Sequence, residues 1–205
     1  MKLRFGLLLN GCGALDGSDV HEAVLATLEL QRAGYDVVYL SIEEPQFQVC
    51  DHSTMLDISE QSRSQYTEAS RLVKGKLFLL KEISPKLLNG VVLPGGQGAV
   101  KNWITNFGDM NNPRTIHPEV AQFLLETASS GGSIGAISLA EFIVTTLFGP
   151  WPSGKSCMEV APDEVIVNES RGVAATPGSL LSSSLPVIQK GIASLVELLP
   201  KIGRL

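Results

Sequence analysis

Apolar residues fall into short runs separated by stretches of helical period. Lys2 to Leu9 reads KLRFGLLL and stops at Asn10-Gly11-Cys12-Gly13, the pattern of a buried strand ending in a turn. Val20, Val24, Leu25 and Leu28 follow at helical spacing, and Ala33-Gly34 closes that segment. Tyr35 to Ser41 (YDVVYLS) is a second buried strand. The first 41 residues therefore predict a βαβ unit, which favours a parallel sheet with a right-handed crossover.

The same alternation continues. Glu60 to Lys74 has a helical pattern with Ser and Gln on one side, and Gly90 to Pro94 (GVVLP) predicts a strand leading into Gly95-Gly96-Gln97-Gly98. Pro118 to Ser129 predicts an amphipathic helix with Val120, Phe123, Leu124 and Ala128 on one face, and Pro118 suits the first turn. Ser133 to Ile137 predicts a strand and Leu139 to Leu147 a helix. Val165 to Val167 and Val173 to Ala175 predict a hairpin around 168–172, and Leu185 to Leu199 a closing helix. No repeat or low-complexity linker divides the chain, so residues 1–205 are expected to form one three-layer α/β sandwich, mainly parallel and flavodoxin-like in the broad sense.

Composition narrows the classes. Of 205 residues, 44% are hydrophobic and only 18% charged, which excludes a disordered chain. The formal net charge of −5, with no run of Lys and Arg, argues against nucleic acid as a partner. The apolar runs fall short of the roughly 20 residues a membrane-spanning helix needs. No secretory or transit pattern is evident. Cys12, Cys50 and Cys157 form a sparse, odd set without CxxC spacing. That argues against a disulfide framework or a structural metal, and makes the cytoplasm the simplest expected compartment.

Open parallel sheets bind ligands beyond the carboxyl ends of their strands. Three glycine-rich strand exits qualify: 10–13, 94–98 and 135–138. In the third, Ala136 and Ala140 flank Ser138 two residues on either side, as a nucleophile elbow requires of its crowded turn. Ser138 is thus either a nucleophile at such a turn or the N-cap of the next helix. The second exit is either a nest of backbone N–H groups for developing negative charge or a tight turn. Beside the first exit, Glu22 is either a general base near Ser138 or half of a capping box with Asp19. His21, His52 and His117 are candidate bases or surface histidines. Cys12 lies on the loop after the first strand, where it is either a substitute thiol or a bystander.

Gly149-Pro150-Trp151-Pro152-Ser153-Gly154-Lys155-Ser156 matches the G-x-x-x-x-G-K-[ST] pattern of phosphate loops. Its setting is wrong: no strand precedes it, Cys157 to Pro162 cannot open a long helix, and two prolines remove N–H donors. The segment is expected at the surface without a nucleotide.

Gly11 to Leu25 (GCGALDGSDVHEAVL), Leu93 to Gly108 (LPGGQGAVKNWITNFG), Gly131 to Ala140 (GGSIGAISLA) and Ala175 to Gly178 (ATPG) together resemble the ThiJ/PfpI superfamily, with its class I glutamine amidotransferase-like fold. The likeness is closest to the ElbB-type branch, the "enhancing lycopene biosynthesis" proteins linked to glyoxalase activity and isoprenoid biosynthesis. The resemblance implies that Ser138 stands where the family has its nucleophilic cysteine. It implies that Glu22 is the acid that hydrogen-bonds the nucleophile, and that Gly96, Gln97 and the N–H of Leu139 form the oxyanion-binding region, with Gly95 of the same glycine-rich exit a candidate binding residue beside them. Phe148 to Val165 looks shorter than the corresponding family segment. No cofactor is implied, and a homodimer is expected by resemblance only.

Two functions compete at this level. One is a catalytically impaired protein that binds a small carbonyl compound, another metabolite or a partner. The other is an active glyoxalase- or hydrolase-type enzyme using Ser138, Glu22 and a histidine such as His21. The first is preferred because a serine hydroxyl, unlike a thiol near a helix N-terminus, does not ionise usefully without a base.

Overall fold

The structure is a computed structural model that describes residues 2–73, 76–107 and 111–203. In chain order the elements are β1 (Arg4–Leu8), α1 (Val20–Arg32), β2 (Asp36–Ser41), β3 (Cys50–Asp51), β4 (Leu56–Asp57), α2 (Gln65–Ala69), β5 (Leu77–Leu79), β6 (Gly90–Leu93) and α3 (Gln97–Trp103). They continue with β7 (Ile104–Thr105), β8 (Thr115–Ile116), α4 (Pro118–Ser129), β9 (Ser133–Ile137), α5 (Glu141–Phe148), β10 (Ile166–Asn168), β11 (Val173–Thr176) and α6 (Leu185–Ile202).

Seven strands make one sheet in the order β10-β11-β9-β6-β1-β2-β5, parallel except for the β10–β11 hairpin. β3–β4 and β7–β8 are two-residue antiparallel ribbons outside it. The central strands are apolar on both sides because both faces are covered. Along β1 the alternation is visible: Leu8 packs with α3, α4 and α5, while Phe5 and Leu7 pack with α1 and α6. The expected three-layer α/β sandwich, flavodoxin-like in the broad sense, is therefore the observed one. From β1 the order runs outward to β2 on one side and to β6 and β9 on the other. The reversal lies between β1 and β6, which register at Leu7 and Val92, and a crevice for ligands is expected beyond such a switch point.

Several elements depart from the sequence expectation. The helix expected over Glu60 to Lys74 is only five residues long, and Lys74 lies outside the described residues. Residues 61–64 instead run beside 44–46, with Gln46 N–H donating to the Arg63 carbonyl (2.8 Å) and Pro45 bridging Ser64. Ser64 then caps the short helix by accepting from Thr67 N–H (3.1 Å). The edge strand β5, helix α3 and both ribbons are additions to the elements expected from the pattern. The helix expected from Leu139 begins at Glu141, after a 3-10 turn over Ser138–Ala140. No helix among the described residues is long and apolar enough to cross a membrane.

Candidate functional site

Three strand exits meet beyond the switch point. The exit of β9 delivers Ser138 with φ 53°, the left-handed region that disfavours a side chain. A non-glycine residue held there stores roughly 1–3 kcal/mol of strain, and the surrounding packing must impose it. Ser138 is 1% exposed. Its Oγ accepts the N–H of Leu139 at 2.6 Å, and Ala140, not Ser138, occupies the N-cap position of α5. The simple capping reading of Ser138 is thereby excluded, and the strained strand-to-helix turn is what the small-x-Ser-x-small spacing expects.

The exit of β6 brings Gly95 against that hydroxyl. A methyl group at position 95 would lie 2.2 Å from Ser138 Oγ, 2.6 Å from the Ile137 carbonyl oxygen and 3.0 Å from Glu22 Oε2. Glycine is required here by space, and the same distances put Ser138 Oγ and the Glu22 carboxyl around one small volume. Gly96 follows with φ 96° and turns the chain into α3. The loop is tied to the first exit by Asp19 N–H donating to the Gly95 carbonyl (2.9 Å) and Gln97 N–H donating to the Ala14 carbonyl (2.7 Å).

Glu22 is fully buried at the first turn of α1. Asp19 Oδ1 accepts Glu22 N–H at 3.1 Å, so half of the capping box exists. The other half does not, because the Glu22 carboxyl turns into the site. Oε2 accepts Gly95 N–H (2.7 Å), and Oε1 accepts both Ser179 N–H (2.8 Å) and the Ser179 hydroxyl (2.6 Å). Burial, and secondarily the Asp19 carboxylate, push the Glu22 carboxyl up to about 7, against the bonds from Ser179 and Gly95. Glu22 therefore changes charge near neutral pH.

Other expected participants stand elsewhere. His21 is exposed on the outer side of α1, one residue and about 100° around the helix from Glu22, so it does not meet Ser138. His52 Nε2 accepts Leu15 N–H (3.3 Å) and lies 3.8 Å from Asp16 Oδ1, and His117 is the N-cap before α4; neither forms a hydrogen bond with Ser138. Gln97 is exposed and its N–H is engaged, which removes it from an oxyanion nest, and the Leu139 N–H is likewise engaged, by Ser138 Oγ. Cys12 is half-buried, and burial followed by the Glu68 carboxylate raises its thiol. It is not poised as a thiolate. Gly108, the last residue of the second resemblance block, lies outside the described residues.

Two residues escape sequence reasoning. Ser179 adjoins the Ala175–Gly178 block and closes over Glu22. Glu141, 3% exposed at the start of α5, collects the segment that imitates a phosphate loop. It accepts Trp151 Nε1 (2.5 Å), Ser156 Oγ (2.8 Å), Cys157 N–H (2.7 Å) and Cys157 Sγ (3.1 Å). The segment follows helix α5, exposes residues 152–155 and leads only into a three-residue 3-10 turn. It has the wrong setting for a phosphate loop and is a strap whose buried end packs beneath the elbow, with Cys157 Sγ 4.0 Å from the Ser138 carbonyl. Burial drives the Cys157 thiol far above its ordinary range. No cluster of three or more His, Cys, Asp or Glu suited to a metal occurs among the described residues.

No protein-family model matches the chain. The human glutamine amidotransferase-like class 1 domain-containing protein 3, mitochondrial, is 28% identical over 219 residues, covering 95% of this chain and 81% of its own. The rat ES1 protein homolog, mitochondrial, is 26% identical over 221 residues, with 96% and 82% covered. Among solved structures, an isoprenoid biosynthesis protein with an amidotransferase-like domain from Ehrlichia chaffeensis superposes with a TM-score of 0.87 at 23% identity, covering 97% of this chain and 99% of that one. Drosophila melanogaster DJ-1beta superposes at 0.55 with 18% identity, covering 98% and 91%. The fold is thus the amidotransferase-like fold shared by DJ-1 and ThiJ/PfpI proteins.

Proposed function

We propose that this chain, which has the fold of DJ-1 and ThiJ/PfpI proteins, is an ElbB-like protein that keeps the elbow but lacks its thiolate chemistry, and binds a small carbonyl metabolite at the exits of β1, β6 and β9. One observation carries this reading. Ser138 is held in the strained elbow beside Glu22 and Gly95, and no histidine among the described residues hydrogen-bonds it. A thiol at a helix N-terminus ionises near neutral pH, whereas a hydroxyl needs a positioned base. Read with the resemblance, Ser138 replaces the nucleophilic cysteine and leaves a binding scaffold. Gly96 N–H is the donor that would meet a carbonyl oxygen there, with Leu139 N–H joining it on exchanging Ser138 Oγ for the ligand. A cytoplasmic location and a homodimer belong to the same proposal; the two curated relatives are mitochondrial by name.

The test is consumption of glyoxal and methylglyoxal by the wild type, Ser138→Ala and Ser138→Cys. The expected result is negligible turnover by the first two and a measurable gain with the cysteine. Robust wild-type turnover abolished by Ser138→Ala overturns the proposal.

A second reading rests on Glu22, whose carboxyl is raised to about 7 and so is a usable base at neutral pH. In that reading Glu22 takes the Ser138 proton and the protein is a serine-dependent glyoxalase or hydrolase. Its signature is turnover that rises with pH through about 7 and is lost in both Ser138→Ala and Glu22→Gln.

A further inference from the structure

A cavity of about 860 Å³ lies away from the elbow, between the last turn of α3, the β7–β8 ribbon and the start of α4. Its size falls in the range of small-molecule sites. None of Ser138, Glu22 and Gly95 lines it. The floor is apolar, made by the buried side chains of Trp103, Ile104 and Ile116. The two rims are aromatic. Phe47 is 73% exposed, the most exposed large apolar side chain among the described residues, and Phe107 is 44% exposed. Both rims are anchored: Phe47 N–H donates to Asn102 Oδ1 (2.8 Å), and the Arg114 guanidinium lies over the Phe107 ring, 4.9 Å from its centroid. Anchored rings that flank an apolar floor in water are stabilised when an apolar body fills the gap between them.

The charge of the lining has one sign. Asp and Glu outnumber Lys and Arg in the chain by 21 to 16, yet no acidic residue lines the cavity among the described residues. Lys101 does line it, half-buried, with its ammonium donating to the Leu15 carbonyl (3.2 Å). An ammonium has three N–H donors, so Lys101 keeps donors for an anion. The wall that carries it is preformed: the neighbouring Asn102 Nδ2 donates to the carbonyls of Asn10 (3.1 Å) and Asp16 (3.0 Å), bracing α3 on the first strand exit. A braced wall spares part of the ordering cost of binding. We propose that this cavity binds an amphiphilic organic anion, with its apolar body between Phe47 and Phe107 over Trp103 and its carboxylate or phosphate head at Lys101. The site is separate from the elbow, and the assignment is independent of whether Ser138 turns over any substrate.

The test titrates the full chain with decanoate, decyl phosphate and decanol, and follows the indole N–H signals of its two tryptophans by 1H–15N NMR. Trp151→Phe assigns the two signals. Trp103 lies in the cavity floor and Trp151 in the strap under the elbow, so a saturable shift of Trp103 alone is expected with the anions. The tighter of the two anions names the head group. Lys101→Gln is expected to weaken both anions roughly fivefold and to leave decanol unchanged. Phe47→Ser removes an exposed ring, leaves the core intact, and is expected to weaken all three compounds by about tenfold. A Trp103 signal unmoved by millimolar anion, or shifts confined to Ser138 and Gly95, overturns the proposal. So does decanol binding as tightly as decanoate, or an unchanged anion affinity in Lys101→Gln. A concentration-dependent dimer that Phe47→Ser dissolves, with no response to the anions, also overturns it and gives the rims to a second copy of the chain.

Discussion

Stability should fall as pH rises through the acidic range, and Glu22 sets both sign and size. Its carboxyl titrates at an ordinary 4.5 when unfolded and at about 7 when buried. Between those values the folded chain binds a proton that the unfolded chain has released. Unfolding free energy therefore decreases with increasing pH, opposite to the usual salt-bridged carboxylate. The contribution is fully present below about 4.5 and gone above about 7. At about 1.4 kcal/mol per unit, the span amounts to roughly 3 kcal/mol, a large fraction of a typical domain's stability. Urea unfolding at pH 5, 6, 7 and 8 measures it, with Glu22→Gln as the reference that removes this one titration and keeps every other. Wild type minus variant is expected to drop by about 2–3 kcal/mol across the series. A difference constant to within about 0.5 kcal/mol would refute the reasoning and mean that the carboxyl stays ionised in the fold.

Gly95→Ala is expected to cost at least about 1–3 kcal/mol by overpacking, because the new methyl meets the Ile137 carbonyl and Ser138 Oγ and not a flexible chain end; a denaturation midpoint equal to wild type would contradict this. Glu141→Gln removes acceptor capacity from four donors on the strap, and Cys157 should then react with a thiol reagent several-fold faster than in the wild type while the far-UV spectrum is unchanged. Lys155→Ala should leave affinity for ATP and GTP unchanged in an equilibrium binding assay, since the loop around Lys155 lacks the preceding strand that a phosphate loop needs.

Local pattern carried α4, β9 and the β10–β11 hairpin, because each has a clear period and a stop signal of its own: Pro118 at one end, Gly131-Gly132 before the strand, Gly172 at the turn. The short helix α2 was not legible. Its polar run 61–64 bonds to a segment nearly 20 residues away, and no local period encodes that pairing. The elbow was legible from Ala136, Ser138 and Ala140, since small residues at fixed offsets are a local demand of the turn. Glu22 looked like a capping partner because Asp19 does cap the helix. The direction of its carboxyl is decided by Ser179, 157 residues on, which no spacing within α1 reveals. His21 is the converse case: it is adjacent to Glu22 in sequence, but about 100° of helical rotation carries it to the exposed face.

The two border strands of the sheet bear on behaviour at high concentration. β5 and β10 are each three residues long, and β10 is folded back as an antiparallel hairpin. A border this brief exposes only a handful of unpaired amides, too few to recruit a strand from another chain and start edge-to-edge growth. Phe78 projects from β5 at 46% exposure with the exposed Lys76 just before it. The exposed aromatic side chain on this border thus sits near a charge on a three-residue template, and any insertion lengthening β5 would erode that protection before it altered the site.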